Sequence, residues 1–159
     1  MSGDRSIPKK NKIERSFMKA IVINQFGGYE KLIVENVETP KLKTGEVLVK
    51  MKFTTVNYLD TLIRSGDESI PKEFLPSLPH ILGVEGVGII EKTSVKEFVV
   101  GQKVAFLGTI GAATYSEYVA IDANKLIVLA DNTNLEKAAV IPISYLTAYI
   151  LLKKKINVS

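Results

Sequence analysis

Four polar side chains of different chemistry lie within one short stretch, residues 56–66 of the 159-residue chain. An amide and a phenol come first, at Asn57 and Tyr58, and a carboxylate and a guanidinium follow at Asp60 and Arg64. An amide and a phenol supply hydrogen bonds to a carbonyl or an oxyanion. Asp60 and Arg64 are spaced i, i+4, which predicts an exposed ion pair that stabilises a helical turn. The stretch therefore predicts a polar contact site beside a structural pair, with Arg64 open to either role.

Metal-dependent chemistry is not indicated by the residue types present. The chain has no Cys and one His, His80. Without Cys there is no disulfide framework and no thiolate zinc site, and a lone His cannot build the multi-His site of catalytic zinc. We therefore expect no metal, and we interpret His80 as a structural residue. The absence of Cys also favours a reducing compartment, so the cytoplasm is the predicted location.

The net charge of +4 is concentrated at the two ends of the chain. Residues 1–17 carry a net charge of +3, and the three lysines at 153–155 add as much again, so the body between them is slightly acidic. Terminal basic runs are typical of solvated charge, and no nucleic-acid partner is predicted. Residues 1–17 lack the apolar region of a secretory signal and are interpreted as a flexible extension, with organelle targeting as the alternative.

The elements around the polar stretch have the pattern of short strands separated by turn residues. Seven β-branched runs alternate with Gly, Pro, Thr or Asp punctuation, which is typical of a compact, mostly antiparallel β barrel. These runs are residues 20–23, 32–37, 46–56, 81–91, 103–107, 115–121 and 125–129. The spacing of Leu59, Leu62 and Ile63 predicts one or two helical turns over residues 58–64, ending at Gly66.

A second helical region closes the chain. Asn132 or Asn134 is suited to cap a short helix over residues 135–140, and Pro142 is suited to the first turn of a longer one that includes the apolar run 145–152. That run is well short of the roughly 20 residues that cross a bilayer, so no membrane span and no membrane partner are predicted.

The glycines at 83, 86 and 88 superficially suggest a nucleotide-binding loop. Their order, G-x-x-G-x-G, differs from the dinucleotide fingerprint G-x-G-x-x-G, and no helix pattern follows them. We interpret them as bulges or close backbone approaches within a strand. Since the fingerprint occurs nowhere in the 159 residues, no seat for the adenine and pyrophosphate of a dinucleotide is predicted.

Residues 18–152 resemble the quinone oxidoreductases, which are zinc-independent members of the medium-chain dehydrogenase/reductase superfamily. The motifs that carry the resemblance, in the same order and spacing, are MKA (18–20), FGG (26–28), VNYLDTLIRSG (56–66), LPHILGVEGVG (78–88), YSEY (115–118), AAVIP (138–142) and LTAY (146–149). The resemblance implies a mainly β (α+β) fold, a GroES-like, partly open β barrel with short helices over residues 18–140. It further implies that residues 141–159 form a linker helix toward a cofactor-binding Rossmann domain, which this chain lacks.

The resemblance also excludes the zinc chemistry of the alcohol dehydrogenases in the same superfamily. Those enzymes bind catalytic zinc through a Cys at the position of Asn57 and a His at the position of Val84, and neither ligand is present here. Glu85, which follows, is interpreted as a structural acid bonded to backbone or to a nearby cation. The resemblance implies hydride transfer from NADPH to a quinone or another conjugated carbonyl, with NAD left open as the cofactor.

The resemblance also gives roles to four residues. Asn57 is expected to act in catalysis and in cofactor binding, by bonding the nicotinamide carboxamide or the acceptor oxygen, and a turn-forming Asn is the alternative. Tyr58 is expected to line the acceptor pocket as a catalytic residue, or simply to pack. Arg64 and Thr147 are expected to bind the cofactor, and a Thr bonded back to its own helix is the alternative for Thr147. Leu62 stands where many relatives have a Tyr, which removes one acceptor contact.

Two other interpretations stay open. The chain is a stand-alone GroES-like module that binds a partner or a small aromatic ligand without catalysis, or it belongs to an enoyl-thioester reductase, which shares the fold and the hydride chemistry. Because complete relatives return to the barrel with further strands, we also expect exposed sheet edges and an exposed apolar helix face. Such surfaces predict a homodimer or another form of self-association.

Overall fold

A computed structural model of the chain describes residues 16–156. Residues 1–15, which make up most of the predicted N-terminal extension, lie outside the described residues, as do residues 157–159 of the predicted linker helix. Within the described part, a β barrel comes first and a helix closes the chain on its outer face.

The barrel consists of two antiparallel sheets. Its strands are β1 (Phe17–Ile23), β2 (Ile33–Glu38), β3 (Glu46–Thr54), β4 (His80–Ile81), β5 (Glu85–Thr93), β6 (Lys103–Leu107), β7 (Tyr118–Asp122) and β8 (Leu126–Val128). One sheet has the order β2-β1-β4 and the other the order β7-β3-β5-β6-β8, and every pairing among these strands is antiparallel. The segment before β7 joins the two sheets, since Ile21 N donates to Tyr115 O at 2.8 Å and Glu117 N donates to Lys19 O at 3.0 Å. The predicted mainly β fold is therefore confirmed.

Side chains along β6 alternate between two faces, one packed in the barrel core and the other packed against the C-terminal helix. Val104 and Phe106 are fully buried in the barrel core, together with Val47, Val49, Ile90, Val119 and Ile121. Ala105 points to the opposite face of the sheet, as successive residues of a strand must, and packs with Val87 against the C-terminal helix. The small side chain of Ala105 lets that helix approach the sheet closely.

The predicted strand over residues 81–91 is divided in two, into β4 and β5. Gly83 lies between them with φ +95°, a left-handed conformation that residues with a Cβ rarely adopt. A Cβ at Gly88, inside β5, would lie 2.4 Å from the carbonyl oxygen of Lys50. Gly88 therefore marks a close backbone approach, as the sequence predicted.

Helix α1 (Tyr58–Ser65) follows β3 directly and ends at Gly66, which adopts φ +67° as its C-cap. Ile63 is the buried anchor of this helix and packs with Ile23 and Leu82. The predicted helical turns are confirmed. The described residues also contain 3-10 turns that were not predicted, at Tyr29–Lys31, Lys72–Phe74 and Ala123–Lys125.

The C-terminal helix (Leu135–Lys154) is continuous, whereas the sequence predicted a break before Pro142. It comprises α2 (Leu135–Ala138), a π-helical section (Ile141–Tyr145), α3 (Leu146–Tyr149) and most of a second π-helical section, which extends one residue further (Ile150–Lys155). Asn134 caps its start, with Oδ1 accepting the Lys137 N–H at 3.0 Å. The chain passes Pro142 without a break because wider turns accommodate it, as in the bond from Tyr145 N to Val140 O at 3.0 Å.

Most of the C-terminal helix is exposed. Its buried residues lie in the first turns, at Ala138, Ala139 and Pro142, while Tyr145 and Tyr149 are 68% and 56% exposed. With 20 residues it is long and apolar enough, by length and composition only, to cross a membrane. The prediction that the chain has no membrane span stays a prediction.

Candidate active site

Asn57 lies where β3 passes into α1, and it is half-buried. Its backbone is extended, with φ −97° and ψ 158°, and its N–H donates to Asp60 Oδ2 at 2.9 Å in a capping box. Its side-chain Nδ2 donates to Glu85 Oε1 at 3.0 Å and to Thr55 Oγ1 at 3.2 Å. The side chain is thus bonded to the neighbouring strand β5, in addition to its place at the helix start.

The Glu85 side chain is fully buried, and its carboxylate accepts three hydrogen bonds. The Thr55 hydroxyl and the Asn57 amide both donate to Oε1. The backbone N–H of Ile143 donates to Oε2 at 2.8 Å. The prediction of a structural acid bonded to backbone is confirmed, and the backbone in question belongs to the C-terminal helix.

Asp60 is 2% exposed and lies beneath Asn57, where its Oδ2 also accepts the Tyr115 hydroxyl at 3.3 Å. Burial raises the pKa of the Asp60 carboxyl, against smaller lowering effects of the hydrogen bonds from the Asn57 backbone and the Tyr115 hydroxyl. Burial, followed by the negative charge of Asp60, raises the pKa of the Tyr115 phenol, so this hydroxyl stays protonated and donates. Tyr115 Oη also lies 3.4 Å from the carbonyl oxygen of Thr55.

The predicted exposed pair between Asp60 and Arg64 is wrong, because Asp60 is buried and its Oδ2 is used by Asn57 and Tyr115. Asp60 Oδ1 and Arg64 Nε, both buried atoms, have no hydrogen-bond partner among residues 16–156. Arg64 lines a cavity of about 50 Å³ together with Asp60 and Tyr115. It lies seven residues along α1 from Asn57, roughly 10 Å at 1.5 Å per residue, so the two predicted cofactor-binding residues are not adjacent.

Tyr58 is the first residue of α1 and is 78% exposed. The alternative that it is simply packed is therefore wrong for the part of the chain that is described. Its hydroxyl is open to a ligand next to Asn57, and its predicted catalytic role stays a prediction.

Thr147 is exposed in α3, four residues after Ile143 and therefore about one turn along the same helix. Since Glu85 bonds both Asn57 and Ile143, it brings this helix to the Asn57 site. The predicted contact of Thr147 with a cofactor stays a prediction.

Between residues 16 and 156, no three His, Cys, Asp or Glu side chains form a group that could hold a metal ion. Val84, which the resemblance aligns with a zinc-binding His, is 4% exposed and apolar. His80 is half-buried in β4, and burial lowers the pKa of its imidazole.

A wider groove of about 380 Å³ opens between β1 and β3. Its lining is mostly apolar and includes Ile21, Val34, Phe53 and Val56, with Tyr115 at one side. Tyr115 and Val56 also line the small cavity beside Arg64.

Sequence reasoning assigned no role to Thr55 or Tyr115. The spacing of Thr55 and Asn57 could have indicated their contact. Side chains at i and i+2 of an extended chain lie on the same side, so Thr55 lies beside Asn57. Tyr115 is 55 residues from Asp60 in the chain, and no local pattern could have joined them.

Comparisons with known proteins agree with this geometry. A family model described as the alcohol dehydrogenase GroES-like domain matches residues 43–131. The synaptic vesicle membrane protein VAT-1 homolog of Danio rerio is 33% identical over 137 residues, which cover 84% of this chain and 27% of that protein. The quinone oxidoreductase of Pseudomonas aeruginosa is 34% identical over 139 residues, which cover 86% of this chain and 41% of that protein.

Solved structures give the same relationship. A mycobacterial protein in complex with NADPH superposes with a TM-score of 0.75 at 30% identity, over 89% of this chain and 42% of that chain. The chain thus spans less than half the length of the proteins it matches. Since the family model covers more than half of the residues, the chain belongs to the alcohol dehydrogenase GroES-like domain family, and it corresponds to the N-terminal part of medium-chain dehydrogenase/reductase proteins such as the quinone oxidoreductases.

Proposed function

We propose that this chain forms the substrate-side part of an NADPH-dependent quinone or enone oxidoreductase that transfers hydride without a metal. The observation that carries the proposal is the half-buried Asn57 amide, fixed by Glu85 at the start of α1, with the exposed Tyr58 hydroxyl beside it. The family and the NADPH bound to a relative of 30% identity support the choice of cofactor.

The residues present fit one end of a nicotinamide cofactor. Bound nicotinamide supplies the hydride. Asn57 orients the ring through its carboxamide, and Thr147 contributes from the C-terminal helix. Tyr58 donates its hydroxyl to the acceptor oxygen as negative charge develops there. Arg64 is proposed for the cofactor side, from the far end of α1.

Zinc independence is part of the proposal. It is supported by the residue types at the two positions where the zinc enzymes carry ligands, Asn57 and Val84. An amide and an isopropyl group do not replace a thiolate and an imidazole as ligands of zinc. We also keep the cytoplasm as the proposed location, because the chain has no Cys.

A chimera tests the proposal. Residues 18–152 replace the matching part of the Pseudomonas aeruginosa quinone oxidoreductase, and the parent enzyme serves as the control. We expect quinone reduction with NADPH that is unaffected by a zinc chelator. Replacing Tyr58 by Phe should lower kcat by on the order of 10- to 100-fold, since a positioned donor to the developing oxyanion is lost.

The matched control for that substitution is Tyr29→Phe, because Tyr29 is 80% exposed and distant in sequence from the site. A folded chimera that binds NADPH but reduces no quinone or enone contradicts the proposal. If such a chimera reduces enoyl thioesters and no quinone, the enoyl-thioester reductase interpretation replaces it.

The groove between β1 and β3 favours the second candidate, a binding module without catalysis. A mostly apolar space of about 380 Å³ falls within the range of small-molecule pockets. In that case the isolated chain binds a small aromatic compound against Phe53 and Val56, and substitution of Tyr58 leaves this binding unchanged.

A further inference from the structure

We propose that the groove between β1 and β3 binds an apolar carboxylate, whose apolar body lies in the groove and whose charge is bound at the rim by Lys19 and Lys52. Asn57 and Tyr58 do not line this groove. The proposal therefore goes beyond the proposed function, and it holds whether or not the chain takes part in hydride transfer.

The groove has an apolar lining from both sheets. Ile21 in β1 and Val34 in β2 are cross-strand partners, so their side chains share one face of the sheet. Phe53 and Val56 line the groove from the end of β3 and the segment after it. Val34 and Val56 are 66% and 75% exposed, and exposed apolar side chains that line one concave surface mark a binding groove. A volume of about 380 Å³ suits a small apolar molecule.

The hydroxyl groups that line the groove are already used within the protein. The acceptors are Asp60 for Tyr115, Ala113 for Ser116, Glu85 for Thr54 and Thr54 for Thr114. A hydroxyl carries a single donor, so a ligand that took one of these groups would break an internal hydrogen bond. The part of the ligand that lies inside the groove is therefore apolar.

The main chain of residues 115–117, which line the groove, is used as well. Ile21 N donates to Tyr115 O at 2.8 Å, Glu117 N donates to Lys19 O at 3.0 Å, and Met51 N donates to Glu117 O at 2.9 Å. An extended peptide is bound through unpaired N–H and C=O groups of a strand edge. These bonds leave few such groups along this segment, which favours a small molecule over a peptide as the occupant.

The charged residues of the lining determine the charge of the ligand. They are Lys19, Lys52 and Glu117, which together give one excess positive charge. Glu117 Oε2 already accepts the backbone N–H of Lys19 at 2.8 Å. Lys19 is two residues from Ile21 in β1, so both side chains lie on the same face of the strand. Two exposed ammonium groups beside an apolar groove complement a molecule with a single carboxylate.

The first arm of the test compares three probes of equal chain length on the full 159-residue chain, namely decanoate, decanol and decyltrimethylammonium. Amide shifts of Ile21, Val34 and Phe53 in an NMR titration report binding in the groove. We expect decanoate to bind at least about 5-fold more tightly than decanol, since only the carboxylate interacts favourably with the two lysines. Decyltrimethylammonium should bind most weakly. Equal affinity for decanoate and decyltrimethylammonium overturns the proposal.

The second arm changes the rim. Lys19→Gln with Lys52→Gln should remove the preference for decanoate and leave the affinity for decanol unchanged. Lys92→Gln with Lys96→Gln is the matched control, because both lysines are exposed and neither lines the groove. A preference for decanoate that survives the loss of Lys19 and Lys52 contradicts their assignment.

The third arm changes the apolar lining at an exposed position, where substitution leaves the core intact. Val34→Asn should weaken decanoate and decanol alike, by about 5- to 10-fold, because apolar contact area is lost. Val99→Asn, at an equally exposed position outside the groove, should change neither affinity. Equal effects of the two substitutions would place the probes elsewhere and overturn the proposal.

The outcomes separate this proposal from the proposed function. Binding of decanoate in the groove, in a chain whose chimera reduces no quinone, supports the proposal and contradicts only the proposed function. Shifts centred on Asn57 and Tyr58, with none at Ile21 and Val34, place the probe at the candidate active site and overturn the proposal. A folded chain that binds none of the probes also overturns it.

Discussion

The carboxylate of Glu85, in β5, accepts the backbone N–H of Ile143, in the C-terminal helix, at 2.8 Å. This bond joins the barrel to the helix at the point where Pro142 has no N–H to donate. The same carboxylate holds Asn57 through its other oxygen. The start of α1 and the start of the π-helical section are therefore fixed by one side chain.

Replacing Glu85 by Leu should lower the free energy of unfolding by about 3 kcal/mol or more, since three donors lose their acceptor in a dry environment. Chemical denaturation monitored by circular dichroism measures the change. The matched control is Glu91→Leu, at an exposed position of the same strand, which should change stability by no more than about 0.5 kcal/mol. Similar losses in the two variants would contradict the assigned role of Glu85.

The stability of the chain should carry a pH dependence from Asp60. Burial raises the pKa of this carboxyl above its ordinary value near 3.8, so the folded state keeps its proton at a pH where the unfolded state has lost it. The contribution is therefore largest below pH 3.8 and is lost as the pH rises through the raised folded value. Unfolding of the unaltered chain and of Asp60→Asn between pH 4 and 7 should show the unaltered chain losing stability relative to the variant.

Asp67 provides the control of opposite sign. The hydroxyl and backbone N–H of Ser69 lower the pKa of its carboxyl, so its contribution is present above pH 3.8 and lost as the pH falls. Relative to Asp67→Asn, the unaltered chain should gain stability as the pH rises. If the stability difference between the unaltered chain and its variant changed with pH in the same way for Asp60→Asn and Asp67→Asn, neither carboxyl would be the source of the pH dependence.

Removing the Tyr115 hydroxyl should remove one of the hydrogen bonds that the buried Asp60 carboxyl accepts. Tyr115→Phe is expected to lower the free energy of unfolding by about 1–2 kcal/mol, because a buried carboxylate loses a hydrogen bond. It should also raise the pKa of Asp60 further and steepen the fall of stability with pH, since that hydrogen bond lowers the pKa. Tyr118→Phe serves as the control, as the ring of Tyr118 contacts Lys50. If Tyr115→Phe left the dependence of stability on pH unchanged, the Tyr115 hydroxyl would not affect the pKa of Asp60, which would contradict the prediction.

The exposed C-terminal helix should cause self-association of this chain. Tyr145, Tyr149 and Ile156 are each more than half exposed, and contiguous apolar surface of this kind drives association. Light scattering after gel filtration should give a mass above that of the 17.5 kDa monomer. Tyr145→Lys with Tyr149→Lys should shift the mass toward the monomer, and Tyr29→Lys on the barrel should not. A clean, salt-insensitive monomer of the unaltered chain would contradict this prediction.

The barrel could be predicted because each strand carries its own local signal. Runs such as residues 103–107 alternate between the core and the outer face, and turn residues separate them. Helix α1 could also be predicted from local sequence, since Gly66 marks its end. The division of residues 81–91 was missed, because the residues that leave no room for a Cβ at Gly83, Thr114 and Tyr115, are about 30 positions away in the chain.

The site could be predicted only in part, and the reason is distance along the chain. Asn57 and Tyr58 were identified from a contiguous motif, whereas the bonds that define their surroundings join residues 28 and 58 positions apart. The continuous C-terminal helix was missed for the same reason. Helix propensity alone predicts a break at Pro142, whereas the helix passes it in wider turns and the Ile143 N–H finds its acceptor in β5, 58 residues away in the chain.

The three donors that meet at Glu85 also constrain how this site can evolve. Thr55 and Asn57 lie between the end of β3 and the start of α1, and the third donor is a main-chain N–H, which most substitutions at Ile143 do not remove. A change of residue type at 55, 57 or 85 alone leaves a buried group without its counterpart. In homologous chains that keep this helix against the barrel, positions 55, 57 and 85 should therefore co-vary.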